Sequence, residues 1–420
     1  MNRAHKYLLR PTKEQAALLS QYAGATRWLW NYMLDLNIKE YQANKKFVFN
    51  YSMNALLPEL KKQHEWLKLP PSQSLQQKCA DLDTALHSVW NSGFGFPKFK
   101  SKHRSQDSFR VPQQIANSKD PQIKISEKAI TIPKIGAVEW VMHRALPVDS
   151  KVKSITVSKD LDRWYVSVLL EVPDVPLIPE IDKDRTIGID LGISNFATYS
   201  DGTKIQSPNF LKKQLKKLKY QQRFLKNKVK GSNNSKKQYY RIAKIHQKIR
   251  LQRSDFLHKL SNQVTNEYDV ICVESLKIKE LLMKKQLSRS IADQGWGIFI
   301  NQLQYKAEQK GKHLTKIGTY QPSTKTCSCC GSIRQMKLSD RVYVCQNEKC
   351  DDYLKTKDRD VNAARNIHFW GLMATPELKF VSNTPGTGGI QACGDATSDC
   401  YDVSDQVSVK QETDQPLVAL

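Results

Sequence analysis

Three acidic residues stand where chemistry could be done. The segment Thr186 to Asp190 reads as a strand, with apolar Ile187 and Ile189 leading to Asp190 and Gly192 soon after. The segment Tyr268 to Glu274 reads as a second, buried strand that again ends on a carboxylate, 84 residues further on. Asp360 opens a helical stretch in which Ala363, Ala364 and Ile367 set one face against a sheet. Its neighbour Asp358, on the other side of Arg359, is the weaker candidate. Taken singly, a strand-end carboxylate is as well explained as a cap or turn residue. As a set, the three say more. Clustered carboxylates repel, and a buried cluster takes up protons unless a cation compensates. Three acids can hold two Mg²⁺ ions about 4 Å apart, one to activate water and one to stabilise a leaving 3′ oxygen. That chemistry cuts a phosphodiester. No Ser-His-Asp or Cys-His arrangement stands out, and the nine histidines are scattered.

A second constellation is built of sulfur. Of nine cysteines, five lie between Cys327 and Cys350. Cys327 and Cys330 form a C-x₂-C pair, Cys345 and Cys350 a C-x₄-C pair, and fourteen residues separate them. Thiolates at this spacing can close a tetrahedral, structural Zn²⁺ site in a short ribbon. The second pair is wider than the usual two-residue gap, and Cys329 is an extra sulfur that could replace Cys330. Cys79 and Cys272 sit in apolar or helical settings and read as core.

The elements that must position these residues change texture along the chain. Residues 1–10 read as a short basic strand. Thr12 and Gln15 form a capping box for a helix whose apolar positions run from Leu18 through Leu36. Helical pattern continues to about Trp90, with Pro70 and Pro71 as a break. From Gly93 to about Val175 the pattern alternates, as an antiparallel sheet or small barrel would. Strands at 186–190, 195–200 and 203–206 suggest a ribbon turning at Ser200-Asp201-Gly202. A helical hairpin follows, with Leu211, Leu215, Leu218, Leu225 and Val229 on one arm and Ile242, Ile245, Ile249 and Phe256 on the other. Then come a strand to Glu274, a helix near 294–310, a strand at 313–319, the cysteine module and a last helix to Trp370. Strands followed by alternating helix and strand suggest an α/β layer.

Charge indicates the partner. The chain has 66 Lys and Arg against 41 Asp and Glu, a net of +25. Residues 371–420 oppose this with seven acids and two lysines, lack periodicity, and read as a disordered acidic tail. Residues 211–260 hold 17 basic residues and one acid. They are either solvated helix faces or a nucleic-acid surface, and the imbalance favours the latter. In 96–110, basic residues including Lys98, Lys100, Lys102 and Arg104 interleave with Phe96, Phe99 and Phe109, where stacking plus charge suits nucleic acid. The rings could equally be core and the lysines solvated. No apolar run reaches membrane-spanning length, and MNRAHKYLLRPT lacks the apolar core of a signal peptide, so a cytoplasmic protein without membrane association is expected. The glycines at 386–389 are not followed by the Lys and Ser/Thr of a P-loop. Ile187 to Gly192 also looks like the first phosphate loop of actin-like ATPases, but no second glycine-rich loop follows Glu274.

The ordered set of motifs resembles a known family. Gly188-Ile-Asp190-Leu-Gly192, Val273-Glu274-Ser-Leu276, Ser323-Thr-Lys-Thr-Cys327-Ser-Cys-Cys330-Gly331 and Asp358-Arg-Asp360-Val-Asn-Ala-Ala364 are similar to the TnpB (OrfB) proteins of insertion sequences. The stretches Phe96 to Phe109 and Asp293-Gln-Gly-Trp296 also resemble that family. The likeness covers about residues 5–370. It implies a multidomain α+β protein: an RNase H-like (RuvC) nuclease domain at 183–320 and 354–370 with a zinc ribbon inserted at 321–353. A wedge-like β-barrel at 1–10 and 93–178 and a helical recognition lobe at 11–92 would precede it. The tail at 371–420 lies beyond the likeness.

The resemblance further implies an RNA-guided DNA endonuclease that is prokaryotic and associates with the nucleoid when bound to DNA. Asp190, Glu274 and Asp360 would be its Mg²⁺-binding catalytic triad, and Cys327, Cys330, Cys345 and Cys350 its Zn²⁺ ligands. Its partners would be a noncoding guide RNA from the transposon end and double-stranded target DNA bearing a short adjacent motif. Two other readings remain beside it: a non-catalytic nucleic-acid-binding regulator of transposition, and a transposase that joins strands itself.

Overall fold

The structure is a computed structural model that describes residues 1–91, 95–102, 105–116, 120–283, 287–319, 321–337, 339–375 and 377–380. The expected acidic tail lies outside the described residues from 381 onward. The chain divides into two compact units, one of residues 1–176 and 210–254, the other of 177–209 and the chain from 255.

The first unit holds a six-stranded antiparallel sheet. Its strands are β1 (Asn2–Arg10), β2 (Ser108–Pro112), β5 (Ala129–Ile132), β6 (Gly136–Val141), β7 (Lys151–Asp160) and β8 (Arg163–Glu171), in the order β2-β7-β8-β1-β6-β5. The two-residue pair β3 (Ile115–Ala116) and β4 (Asp120–Pro121) lies apart from it. The sheet runs between two edges, and no ladder among the described residues closes it into the expected barrel. Alternation explains its core. Tyr7 and Leu9, Phe109 and Val111, Val166 and Val168 point inward, and the residues between them do not.

Helix α1 (Lys13–Asn44) starts at the expected capping box, in which Thr12 and Gln15 exchange bonds of 3.2 and 3.1 Å. With α2 (Asn50–Ala55), α3 (Leu57–Gln63) and α4 (Ser72–Asn91) it encloses Leu29, Met33, Met53, Leu75, Cys79 and Leu82. The helical hairpin is α5 (Phe210–Lys226) and α6 (Asn233–Glu267). Its seam is shorter than the spacing predicts. Leu218, Ile245 and Ile249 are buried, whereas Val229 lies past the end of α5 and is 79% exposed.

The second unit holds a five-stranded sheet of order β11-β10-β9-β12-β13. Here β9 is Thr186–Leu191, β10 Asn195–Tyr199, β11 Lys204–Gln206, β12 Val270–Glu274 and β13 His313–Ile317. The ribbon β9-β10-β11 is antiparallel, and β9, β12 and β13 run parallel. Parallel strands are covered on both faces, which is why β12 reads as a continuous apolar run. Ile187, Ile189, Ile271 and Val273 face the end of α6 and α9 (Trp296–Gln309), which α7 (Ile278–Met283) and α8 (Ser288–Gln294) precede. Val270 and Cys272 face α10 (Arg359–Met373) through Ile367. A short ribbon, β14 (Val342–Val344) paired with β15 (Thr356–Asp358), leads straight into α10. Among the described residues no helix is long and apolar enough to cross a membrane.

Candidate active site and cysteine cluster

Asp190 and Glu274 reach the same edge of the sheet because β9 and β12 run parallel in register. Ile189 pairs with Val273, so the next residue on each strand is an acid. Residues level on neighbouring parallel strands point to one face, with the strands about 4.8 Å apart. Ligand crevices of α/β sheets lie beyond such carboxyl ends.

Helix α10 brings the third acid. It lies antiparallel to β9 on the face that carries Gly188 and Asp190. His368 Nε2 is 2.8 Å from Thr186 Oγ1, and the backbone at Ala364 and His368 packs on Gly188. Four helical residues rise about 6 Å and two strand residues about 6.6 Å, so the two elements stay in step. The step from His368 to Ala364 takes Thr186 to Gly188, and the next brings Asp360 to Asp190. The electrostatics agree. Burial, and then the neighbouring Asp360 and Glu274 carboxylates, push the Asp190 carboxyl up to about 7, while Arg359 works in the opposite sense. Burial also raises Glu274. Arg359 pairs with Asp360 at 3.0 Å. Asp358 is otherwise engaged: it caps α10 by accepting from the amides of Asp360 and Val361 at 3.1 Å, and it pairs with Lys204 at 2.6 Å.

The four cysteines Cys327, Cys330, Cys345 and Cys350 converge, their sulfurs all within 4.8 Å of one another. Cys327 and Cys350 are 3.9 Å apart, and Cys330 and Cys345 are 3.6 Å apart. Four sulfurs at about 2.3 Å from one Zn²⁺ stand roughly 3.8 Å from each other, so the donor set fits tetrahedral zinc. The wide C-x₄-C gap is accommodated by a turn in which the Cys350 amide donates to Asn347 O at 3.0 Å.

Sequence reading passed over two residues that join the centres. Asn362 and Asn366, both buried, bond to the backbone around Cys327. Their only sequence signal is a four-residue spacing that starts inside the motif carrying Asp360 and ends two residues past it.

In the first unit the basic segment is fixed to α1. Asn31 makes two bonds of 2.8 Å to the Lys100 backbone, and Trp30 Nε1 donates to Lys98 O at 3.1 Å. Lys98 and Lys102 are exposed. Lys100 Nζ lies 3.6 Å over the Trp30 ring, and burial, then the Lys78 charge, bring it down to about 8. Phe109 is core, while Phe96 and Phe99 are exposed. Arg104 lies outside the described residues.

An α/β sheet with acids at one edge and a cysteine module leading into the adjacent helix defines a multidomain α+β, Cas12f-like fold with a RuvC-like region. The chain resembles a Cas12f1 protein solved by cryo-EM with sgRNA and target DNA, at a TM-score of 0.52 and 16% identity over 85% of this chain and 83% of that one. Residues 166–285 match the OrfB family of IS605 elements, described as "Probable transposase", and residues 296–367 match the "Cas12f1-like, TNB domain". Residues 1–46 match a family described as "Helix-turn-helix domain", although here that stretch is β1 followed by the single long helix α1. Two relatives described as "Putative RNA-guided DNA endonuclease" are each 33% identical to the chain. The one from Streptomyces pristinaespiralis aligns over 89% of this chain and 90% of its own length. InsQ of Escherichia coli K12 aligns over 87% and 91%. The chain belongs to the TnpB (OrfB) family of IS605-type elements.

Proposed function

We propose that the protein is an RNA-guided DNA endonuclease that hydrolyses phosphodiesters with Asp190, Glu274 and Asp360 as its Mg²⁺-binding residues. The observation that carries this reading is the in-register ending of β9 and β12, which sets Asp190 level with Glu274, and it is supported by burial and the Asp360 and Glu274 charges, which push the Asp190 carboxyl up to about 7. An all-carboxylate donor set suits hard divalent cations. When bound, the metal pair would activate the attacking water and stabilise the leaving oxygen. Asp190 and Glu274 would hold it from the sheet and Asp360 from the helix. Arg359 would balance charge at Asp360 until metal arrives. The cysteine cluster at 321–353 would be a structural zinc ribbon inside a RuvC-like domain spanning 183–320 and 354–370.

The sheet at 1–10 and 93–178 would act as a wedge domain and the helices at 11–92 as a recognition lobe. The names of the relatives support guidance by RNA, and the charge of +25 supports a polyanion partner. The guide would be a noncoding RNA from the transposon end, the target would be double-stranded DNA, and the site of action the prokaryotic cytoplasm.

The test is to express the protein with its flanking DNA and sequence the RNA that co-purifies. One discrete noncoding species ending in a variable segment is expected. That complex should cut matching DNA in Mg²⁺, and Asp190→Ala should abolish cutting while RNA binding stays near wild type. Random RNA fragments, or equal cutting by Asp190→Ala, would overturn the reading.

A further inference from the structure

Helix α10 is gripped from two sides. Asp360, Ala364, His368 and Gly371 form the face on the sheet. Asn362 and Asn366 lie about 200° further round the helix. Asn362 Nδ2 donates to Thr326 O at 2.7 Å, and its Oδ1 accepts from the Ser328 amide at 3.0 Å. Asn366 Nδ2 donates to Ser323 O and Thr326 O, each at 2.8 Å. Thr326 and Ser328 flank Cys327, so both amides hold the backbone of the first cysteine knuckle. The second knuckle enters the helix directly. β15 pairs with β14, its last residue Asp358 caps α10, and the Arg359 amide donates to Arg341 O at 3.0 Å. Lys357 bonds Asp352 at 2.6 Å and lies 3.7 Å from Cys327 Sγ. Asp360 thus sits between two attachments of the cysteine module.

We infer that Asn362 and Asn366 are positioning residues that transmit the state of the cysteine cluster to Asp360. This rests on the reading of Asp360 as a metal-binding carboxylate. The knuckle backbone keeps its shape only while its thiolates are gathered. If the cluster opens on zinc loss, the carbonyls that the two buried amides bind move away. The first turns of α10 then lose their outer support. Its far end stays fixed, because Gly371 packs directly on Cys272, where a Cβ would stand 2.4 Å from the sulfur. Displacement therefore concentrates at the Asp360 end. The carboxylates then bind metal less tightly while the rest of the unit stays folded. The cysteine module is in this way a switch on the metal site.

The test uses the full-length protein with its co-purified RNA and reads Mn²⁺ binding, corrected by the Asp190→Ala signal, beside zinc content and Mg²⁺-dependent cleavage. Asn362→Ala and Asn366→Ala should keep zinc and RNA but raise the Mn²⁺ midpoint by about 10-fold or more, the usual scale for losing a residue that orients a metal ligand. Saturating metal should restore most of the rate. An unchanged midpoint with zinc retained would overturn the inference. Should the variants not fold, wild type stripped of zinc and freed of chelator takes their place: a raised midpoint supports the inference, and an unchanged one overturns it. Mn²⁺ binding is read without cleavage, so a chain that binds Mn²⁺ through Asp190 but cuts nothing would refute the nuclease reading and leave this measurement intact.

Discussion

Gly188 lies so close to α10 that a β-carbon on it would stand 2.3 Å from the carbonyl oxygen of Ala364. That contact is backbone on backbone, so no side chain can swing away to relieve it. Gly188→Ala must push α10 off β9 at the point midway between Thr186 and Asp190. Overpacking of this kind costs about 1–3 kcal/mol, and more where the neighbour is rigid. We expect a lower melting temperature and loss of metal binding, whereas Gly95→Ala, where a Cβ would meet no atom within 4 Å, should leave metal binding intact. Equal metal affinity in Gly188→Ala and wild type would refute the packing argument.

The raised carboxyl of Asp190 sets a pH dependence with a definite sign. The unfolded chain loses this proton near 3.8, and the folded, metal-free protein near 7. Between those values the folded state binds more protons, so its stability falls as pH rises from about 4 to about 7 and stays at the lower level above. Three units correspond to on the order of 4 kcal/mol as an upper bound, since the site is open to solvent on one side. Asp190→Asn removes the penalty. Without metal it should melt above wild type at about pH 8 and converge with it near pH 4. Thermal melts of the zinc-loaded protein in Mg²⁺-free buffer without chelator, at the two pH values, check this. Identical melts at the alkaline value would show that the carboxyl is not raised.

Much of the second unit was legible in the sequence, because strands that are apolar throughout and then end on an acid break their own pattern. The periods of Ile187 and Ile189, and of Val270 to Val273, marked both strands; β12 ends on Glu274 as expected, whereas β9 runs one residue past Asp190 to Leu191. The preference for Asp360 over Asp358 rested on the small residues at Ala363 and Ala364, and the structure gives Asp358 a different task as cap and Lys204 partner. What stayed hidden depends on distant backbone. Asn362 and Asn366 have as partners main-chain groups 34 to 43 residues away, and main-chain groups leave no mark on composition. Gly188 and Gly371 read as ordinary glycines until the helix and sheet that meet at them are both present. Of the three phenylalanines near the basic segment, only Phe109 alternates in phase with a strand, and it alone is core.

The extra sulfur of the first knuckle can be tested by exchange. Cys330 lies 3.6 Å from Cys345 within the converging set, and Cys329 is not one of its four members. Cys330→Ser should therefore lose zinc, whereas Cys329→Ser should retain about one zinc per chain. Structural zinc in such modules contributes about 10–16 kcal/mol, so the zinc-free ribbon should also lose amide-exchange protection at β14 and β15. Zinc retained by Cys330→Ser and lost by Cys329→Ser would mean that the sulfurs exchange roles.

The three described lysines of the basic segment should not behave alike, because their surroundings differ. Lys98 and Lys102 are exposed and belong to a chain of strong positive charge, so each can neutralise a phosphate and release a counterion. Each alanine substitution there should weaken RNA binding and lower the slope of log K against log salt by about 0.7–0.9. Lys100 is half-buried over Trp30, and its Nζ is brought down to about 8. Its removal takes a packed stem and a cation–π contact worth roughly 0.5–2 kcal/mol from the attachment to α1. Lys100→Ala should lower the melting temperature and change the salt slope little. Filter binding across a salt series, beside thermal melts of the same three variants, separates the two kinds of loss. A salt slope that falls most in Lys100→Ala would reverse this assignment of charge and packing.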